Sequence, residues 1–172
     1  DNTRDITVVS REDGSGTRGA FVELFGIEEE VNGEKVDMTT EEANITNSTS
    51  VMMSTVAQDE YAIGYISLGS LDDSVKAVKI DGSEATAENI KNGSYKISRP
   101  FNIATKEDLS DAAQDFEDFI LSTEGQKVVE DNKYIPLDDV SDYKSNGASG
   151  KVVVAGSSSV SPVMEKLKEA YQ

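Results

Sequence analysis

Within seven residues, Arg11-Glu12-Asp13-Gly14-Ser15-Gly16-Thr17 brings together a guanidinium, two carboxylates, two hydroxyls and two glycines. The β-branched run Ile6-Thr7-Val8-Val9 precedes it, and Phe21, Leu24 and Phe25 follow at helical i, i+3, i+4 spacing, with Gly26 as a helix stop. The pattern predicts a strand, a glycine turn and a helix N-terminus. Such an N-terminus presents unpaired N–H groups and roughly half a positive charge, so it accepts an anion without any lysine. Glycines let the backbone curl into an anion-binding nest. Ser15 and Thr17 add hydroxyl donors, and Arg11 adds a bidentate fork for a tetrahedral oxyanion. Asp13 is the odd member. A carboxylate there can only accept, which favours a ligand that still carries a proton; phosphate does so at neutral pH and sulfate does not.

The same device recurs near the other end. Lys151-Val152-Val153-Val154-Ala155 reads as a buried-type strand and Gly156-Ser157-Ser158-Ser159 as a turn. Ser161-Pro162 reads as an N-cap with proline at the first helical position, before a stripe of Val163, Leu167 and Ala170/Tyr171. Ser158 and Ser159 are therefore a second pair of candidate donors. Each turn alone also fits a plain capped helix start with no ligand.

Other chemistries find little support. The 172 residues hold 16 Lys+Arg against 33 Asp+Glu, a net charge of −17, which argues against nucleic acid and anionic lipid as partners. Cys and His are both absent, removing the thiol nucleophile, Cys-ligated metal centres and the commonest general base. No metal-loop spacing occurs, and Asp37, Glu41 and Glu42 read as a solvated acidic face. Gly14, Gly16 and Gly19 match a dinucleotide fingerprint, but no convincing βαβ unit with an acidic strand end follows. The P-loop lysine is missing, so a phosphoryl-transfer enzyme is a poor fit, and no metal or other cofactor is expected. No apolar run approaches the length of a membrane span. The chain opens almost directly into a strand and stops within a helical pattern, as a piece of a longer protein would.

The remaining elements are lighter. Asn32-Gly33 is a turn between short extended pieces, and Asn47-Ser48-Thr49 caps a helix carrying Val51, Met52 and Val56. Ala62 to Ile66 reads as a strand buried on both faces, Val75 to Ile80 as a third strand, and Ala85 to Asn92 as a short helix stopped by Gly93. Tyr95 to Ala104 is extended around Pro100. Helices follow from Ser110, with Ala112, Phe116, Phe119 and Ile120 on one face, and from Thr123. The Ser-, Asp- and Gly-rich stretch 138–150 reads as a linker.

Several motifs in order carry a resemblance. Val8-Val9-Ser10-Arg11-Glu12-Asp13-Gly14-Ser15-Gly16-Thr17-Arg18 with Phe21 resembles the anion loop of the phosphate-binding proteins of bacterial phosphate ABC transporters. Ala62-Ile63-Gly64-Tyr65-Ile66-Ser67, Ser98-Arg99-Pro100-Phe101, Phe119-Ile120-Leu121-Ser122 and Glu124-Gly125-Gln126 resemble later segments, so the likeness covers nearly all of 5–137. Residues 152–171 look like that family's opening strand and helix, standing here after its closing helices. Two units in tandem, cut so that the end of one joins the start of the next, would give this order, as would an engineered permutation.

The resemblance implies an α/β, periplasmic-binding-protein type II-like lobe with a mixed sheet flanked by helices, and a partial second lobe. Residues 1–98 would be most of the ligand-binding second lobe, and 99–137 the return segment and C-terminal helices of the first. Residues 138–150 would be the linker, and 151–172 the strand–helix that starts a unit. It implies phosphate contacts from Arg11, Ser15, Gly16 and Thr17, with Asp13 accepting the phosphate proton and Ser158 and Ser159 as the other lobe's contact. The implied function is non-catalytic, extracytoplasmic capture of inorganic phosphate for an ABC importer. Its membrane permease is then a partner, and the parent protein is periplasmic or lipid-anchored at the cell surface. A sensing module of the same fold for another oxyanion or a phosphorylated ligand is the alternative. The 151–172 segment is expected to pack on residues 100–137, within one chain or swapped into a second copy.

Overall fold

The computed structural model describes residues 3–172, which form two compact units. The first comprises residues up to Arg99 together with Ser157–Ser159; the second comprises Pro100–Gly156 and Val160–Gln172.

The first unit is organised by β1 (Thr7–Arg11), whose last three residues Val9, Ser10 and Arg11 are all buried. It is the central strand of a three-stranded parallel sheet, between β4 (Asn44–Thr46) and β5 (Ala62–Ile63). Val9 to Arg11 lie opposite Asn44 to Thr46, and Thr7 and Val8 opposite Ala62 and Ile63. Helix α1 (Gly16–Phe25) follows the glycine turn and ends at Gly26, whose φ of 64° is the left-handed conformation glycine adopts without a Cβ penalty. Helix α2 (Thr49–Ala57) is capped by Ser48 and buries Met52 and Met53. Between these helices, β2 (Glu28–Val31) and β3 (Glu34–Asp37) form an antiparallel hairpin. Asn32 and Gly33 turn it with φ of 55° and 85°, the positive values a two-residue hairpin loop requires. Parallel pairing thus sits in the sheet and antiparallel pairing in the hairpin. Helix α3 (Ala87–Lys91) stands where the short helix was expected, capped by Thr86.

Two expected strands come out differently. Only Ala62 and Ile63 of the 62–66 run join the sheet, and Ile63 is half exposed, because β5 is an edge strand with a neighbour on one side only. Gly64 turns the chain under α2, where a Cβ would stand 2.5 Å from the Met52 sulfur. Residues 75–80 form no strand. Their alternation finds no neighbouring strand, and the one pairing is an isolated bridge between Ile80 and Ser83.

The second unit is helical. Helices α4 (Asp111–Ile120), α5 (Thr123–Asp131) and α6 (Ser161–Tyr171) enclose a core of Phe116, Phe119, Ile120, Val163 and Leu167, edged by Val128, Tyr143 and Tyr171. Residues 151–155 are not a strand: Val153 is 78% and Val154 50% exposed, and no strand lies among the described residues of this unit to pair with them. β-branched residues favour a sheet only where a pleated neighbour exists. Ser161 is also not the cap of α6. Val160 already has helical backbone angles and takes the cap position without a side-chain bond, which shifts Ser161 and Pro162 inside the first turn.

Asp115 ties this unit together from within α4. Its side chain is buried, and its carboxylate accepts hydrogen bonds from the Tyr143 hydroxyl at 2.5 Å, the Tyr171 hydroxyl at 2.6 Å, the Ser145 hydroxyl at 3.2 Å and the Asn146 N–H at 2.5 Å. The stretch 138–150 carries no helix or strand, yet through these bonds it is fastened to α4, and α6 is fastened by its last turn. The hydroxyls of Tyr143 and Tyr171, with the Asn146 N–H, hold the Asp115 carboxyl down to about 2. Burial and the Asp115 bond raise the Tyr143 phenol, and the same bond followed by burial raises that of Tyr171.

These shifts fix the pH response of the second unit. A carboxyl lowered in the folded state stabilises it above its unfolded value of 3.8, and that contribution fades as pH falls toward 2. Phenols raised in the folded state stabilise it below their ordinary value of 10.0, and that contribution fades as pH rises beyond it. Melting followed by helical circular dichroism is expected to show both limbs, with Asp115→Asn flattening the acid one; an unchanged acid limb would contradict the assignment. A second expectation concerns the α4–α5 corner. There a Cβ on Gly125 would lie 2.1 Å from the Phe119 carbonyl oxygen and 2.7 Å from that of Ile120. Gly125→Ala is expected to cost about 3 kcal/mol or more in denaturant unfolding, since the clashing atoms are backbone.

Candidate functional site

All the candidate donors named from the sequence meet in the first unit. Strand β1 delivers Arg11 at its C-terminal end, the end at which open α/β sheets usually receive ligands. The Arg11 side chain is only 3% exposed. Its Nε donates to Glu12 Oε2 at 2.8 Å, and its Nη2 donates to Glu12 Oε1 at 2.9 Å and to Ser158 Oγ at 3.1 Å. The Glu12 carboxyl is lowered, chiefly by the hydrogen bond from Arg11.

Next to Arg11 the chain turns through Gly14, whose φ of 80° needs glycine. Ser15 caps α1 by accepting from the Arg18 N–H at 3.4 Å, and the first N–H groups of the helix have no partner within it. Gly16 faces Ser157 at ordinary contact distance, 3.7 Å from an added Cβ to the serine oxygen, so a side chain there would close the gap. The Thr17 hydroxyl is hydrogen-bonded to that of Ser159, which is buried. The Ser159 N–H donates to the Ser157 hydroxyl at 3.3 Å. Serines 158 and 159, more than 140 positions away in sequence, thus join Arg11 and Thr17 in one cluster.

Asp13 is arranged otherwise. Its side chain is 98% exposed and its carboxylate takes Arg18 Nη1 at 2.9 Å, while the carboxylate that meets Arg11 belongs to Glu12. Arg18, not singled out for a role by sequence reasoning, also donates from Nε to Asp37 at 2.7 Å and from Nη1 to the Arg11 carbonyl at 2.9 Å. Burial pushes the Asp37 carboxyl up, but Thr39 and Arg18 outweigh it and leave it low. Asp37, read from sequence as part of a solvated face, therefore helps to fix the end of β1 through Arg18. A cavity of about 340 Å³ lies beside this clamp, lined by Gly14, Ser15, Arg18, Lys35 and Asp37 among others.

Tyr65 closes the other side. Its hydroxyl lies 2.8 Å from the Ser10 hydroxyl and accepts from the Arg11 N–H at 3.1 Å, while its ring stacks on Phe21 at 4.1 Å between centroids. A phenol that holds both β1 and the first turns of α1 was invisible to periodicity; the only signal was its place in the 62–67 motif. Among the described residues no group of His, Cys, Asp and Glu could hold a metal ion.

A curated phosphate-binding protein, PstS 2 of Streptococcus agalactiae, is 65% identical over 168 residues, covering 96% of this chain. The chain spans 57% of that relative's length. The unmatched 4% is too small to contain residues 151–172, so this relative carries the segment in the same place. A phosphate-binding protein of a phosphate ABC transporter from Streptococcus pneumoniae, solved by crystallography, superposes with a TM-score of 0.80 at 50% identity, over 98% of this chain and 66% of its own. A substrate-binding protein from Clostridium perfringens solved with bound phosphate gives 0.68 at 47% identity, over 77% and 52%. The family model of a PBP superfamily domain matches residues 1–124, and with most of its length inside that match the chain belongs to the PBP superfamily.

Proposed function

We propose that this chain supplies an inorganic-phosphate site to an extracytoplasmic solute-binding protein serving an ABC importer. The observation that carries the reading is the cluster in which Arg11 meets Ser158 and Thr17 meets Ser159 at the N-terminus of α1. One guanidinium, four hydroxyls counting Ser15, and the first N–H groups of a helix are donors suited to a small tetrahedral anion. In this reading Arg11, Ser15, Gly16, Thr17, Ser158 and Ser159 bind the anion, and Asp13 accepts the proton of a protonated phosphate. That role requires the exposed Asp13 carboxylate to turn from Arg18 toward the ligand, which a single surface ion pair, worth about 1 kcal/mol or less, does not prevent. The names of the streptococcal relatives and the phosphate held by the clostridial neighbour support the choice of anion.

The site binds and releases without bond-making. The importer's membrane permease is the macromolecular partner, and the parent protein stands in the periplasm or at the cell surface on a lipid anchor. The net charge of −17 is no obstacle, because dipoles and hydroxyls act at contact distance while surface charge is screened beyond about 8 Å at physiological salt.

Calorimetric titration near pH 7 is expected to give saturable phosphate binding and no sulfate binding. Arg11→Ala should weaken it at least tenfold, since a hydrogen bond to a charged group is worth about 1.5–3 kcal/mol. Thr17→Val should weaken it severalfold. Undiminished phosphate affinity in Arg11→Ala would overturn the assignment of the site.

A further inference from the structure

Arg11 is a buried cation whose charge is already answered from within the chain. Of its five N–H groups, three are committed: the one on Nε and one on Nη2 to Glu12, and the other on Nη2 to Ser158. A bidentate oxyanion needs two parallel N–H groups on one edge of the guanidinium. The Nε/Nη2 edge is filled by Glu12. The other edge shares Nη2, so an anion arriving there meets a guanidinium neutralised from behind, with the Glu12 carboxylate one side of it. The Ser158 hydroxyl can rotate to donate to an anion, but the carboxylate has no proton to offer.

We propose that Glu12 is a specificity-determining residue of the anion site, a resident counter-ion that lowers its affinity most for dianions. This rests on the anion-binding reading above. Repulsion from a fixed negative charge scales with the ligand's own charge. Glu12 therefore disfavours sulfate, a dianion at any working pH, and the phosphate dianion, relative to the phosphate monoanion. The charged groups around Glu12 are few: Arg11 beside it on β1, Asp13 next in the chain, and Arg18 of α1, which grips the Arg11 carbonyl and reaches Asp37 on β3. From β4 the facing group is the neutral Thr46, whose carbonyl accepts the Glu12 N–H at 3.0 Å. The Glu12 side chain is 37% exposed, so it has room to swing aside, and the hydrogen bond from Arg11 keeps it ionised through the working range of pH. Asp13 acts on the ligand's proton, whereas Glu12 acts on the ligand's net charge through Arg11.

The test compares wild type with Glu12→Gln by calorimetry, using phosphate at pH 5.5 and pH 8 and sulfate at both. Glu12→Gln is expected to bind phosphate about tenfold tighter at pH 8, with a smaller gain at pH 5.5, and to gain affinity for sulfate at both. Loss of packing or fold cannot tighten binding, so a gain separates this role from a structural one. Because Glu12→Gln leaves Arg11 buried without its partner, its fold is checked by circular dichroism. Should it not fold, Glu12→Asp, which withdraws the carboxylate by one methylene, is expected to show a smaller gain of the same sign. Equal or weaker anion binding in the folded variant overturns the proposal, and if wild type still binds phosphate the functional reading survives. A gain for sulfate in a protein that never binds phosphate upholds Glu12's role and overturns the choice of phosphate. No binding of either anion by either protein overturns both.

Discussion

A guanidinium that is 3% exposed cannot stand in a protein without an anion or acceptors around it. Much of the first unit is arranged around that demand at Arg11. Its strand is central and buried, Tyr65 holds its N–H, Arg18 holds its carbonyl, and Glu12 and Ser158 engage its side chain. Breaking one partner of a buried charged pair costs far more than forming it gains. The geometry of the Arg11 cluster is therefore fixed by the burial of one charge, and in the proposed reading the way that charge is answered within the chain sets the affinity for an outside anion.

The second unit solves a similar problem with opposite sign. Asp115 is a buried carboxylate that meets no cation among its four hydrogen-bond donors; three hydroxyls and one backbone N–H stabilise its charge. Those donors come from the irregular stretch after α5 and from the end of α6. One ionised side chain on α4 thus fastens the irregular stretch and the end of α6 within this unit.

Local chemistry in the sequence was a good guide where an element's determinants lie close together. The Ser48 cap, the helix start at Ser110, the Gly26 stop and the Asn32-Gly33 turn all form as their residue types require. The short strand β4 escaped notice because three residues carry no period. Strands failed where the local signal had no partner: the β-branched run 152–154 and the alternating segment 75–80 have no neighbouring strand to pair with. The site was legible as donors and not as pairings. Arg11, Thr17, Ser158 and Ser159 do come together, but nothing in the spacing revealed that Glu12 rather than Asp13 would take the Arg11 fork. Arg18 reaches Asp37 across 19 positions and Tyr65 reaches Ser10 and Arg11 across 55 and 54, separations that periodicity does not register.

In the proposed reading, one glycine turn and one distant serine pair form a single anion site around Arg11. It is tested most directly by following backbone amide resonances in a phosphate titration. Saturable shifts are expected at Ser15, Gly16, Thr17, Ser158 and Ser159, all giving one dissociation constant, together with a shift of the Arg11 Nε–H signal. Shifts confined to one of the two segments, or absent from Arg11, would contradict it.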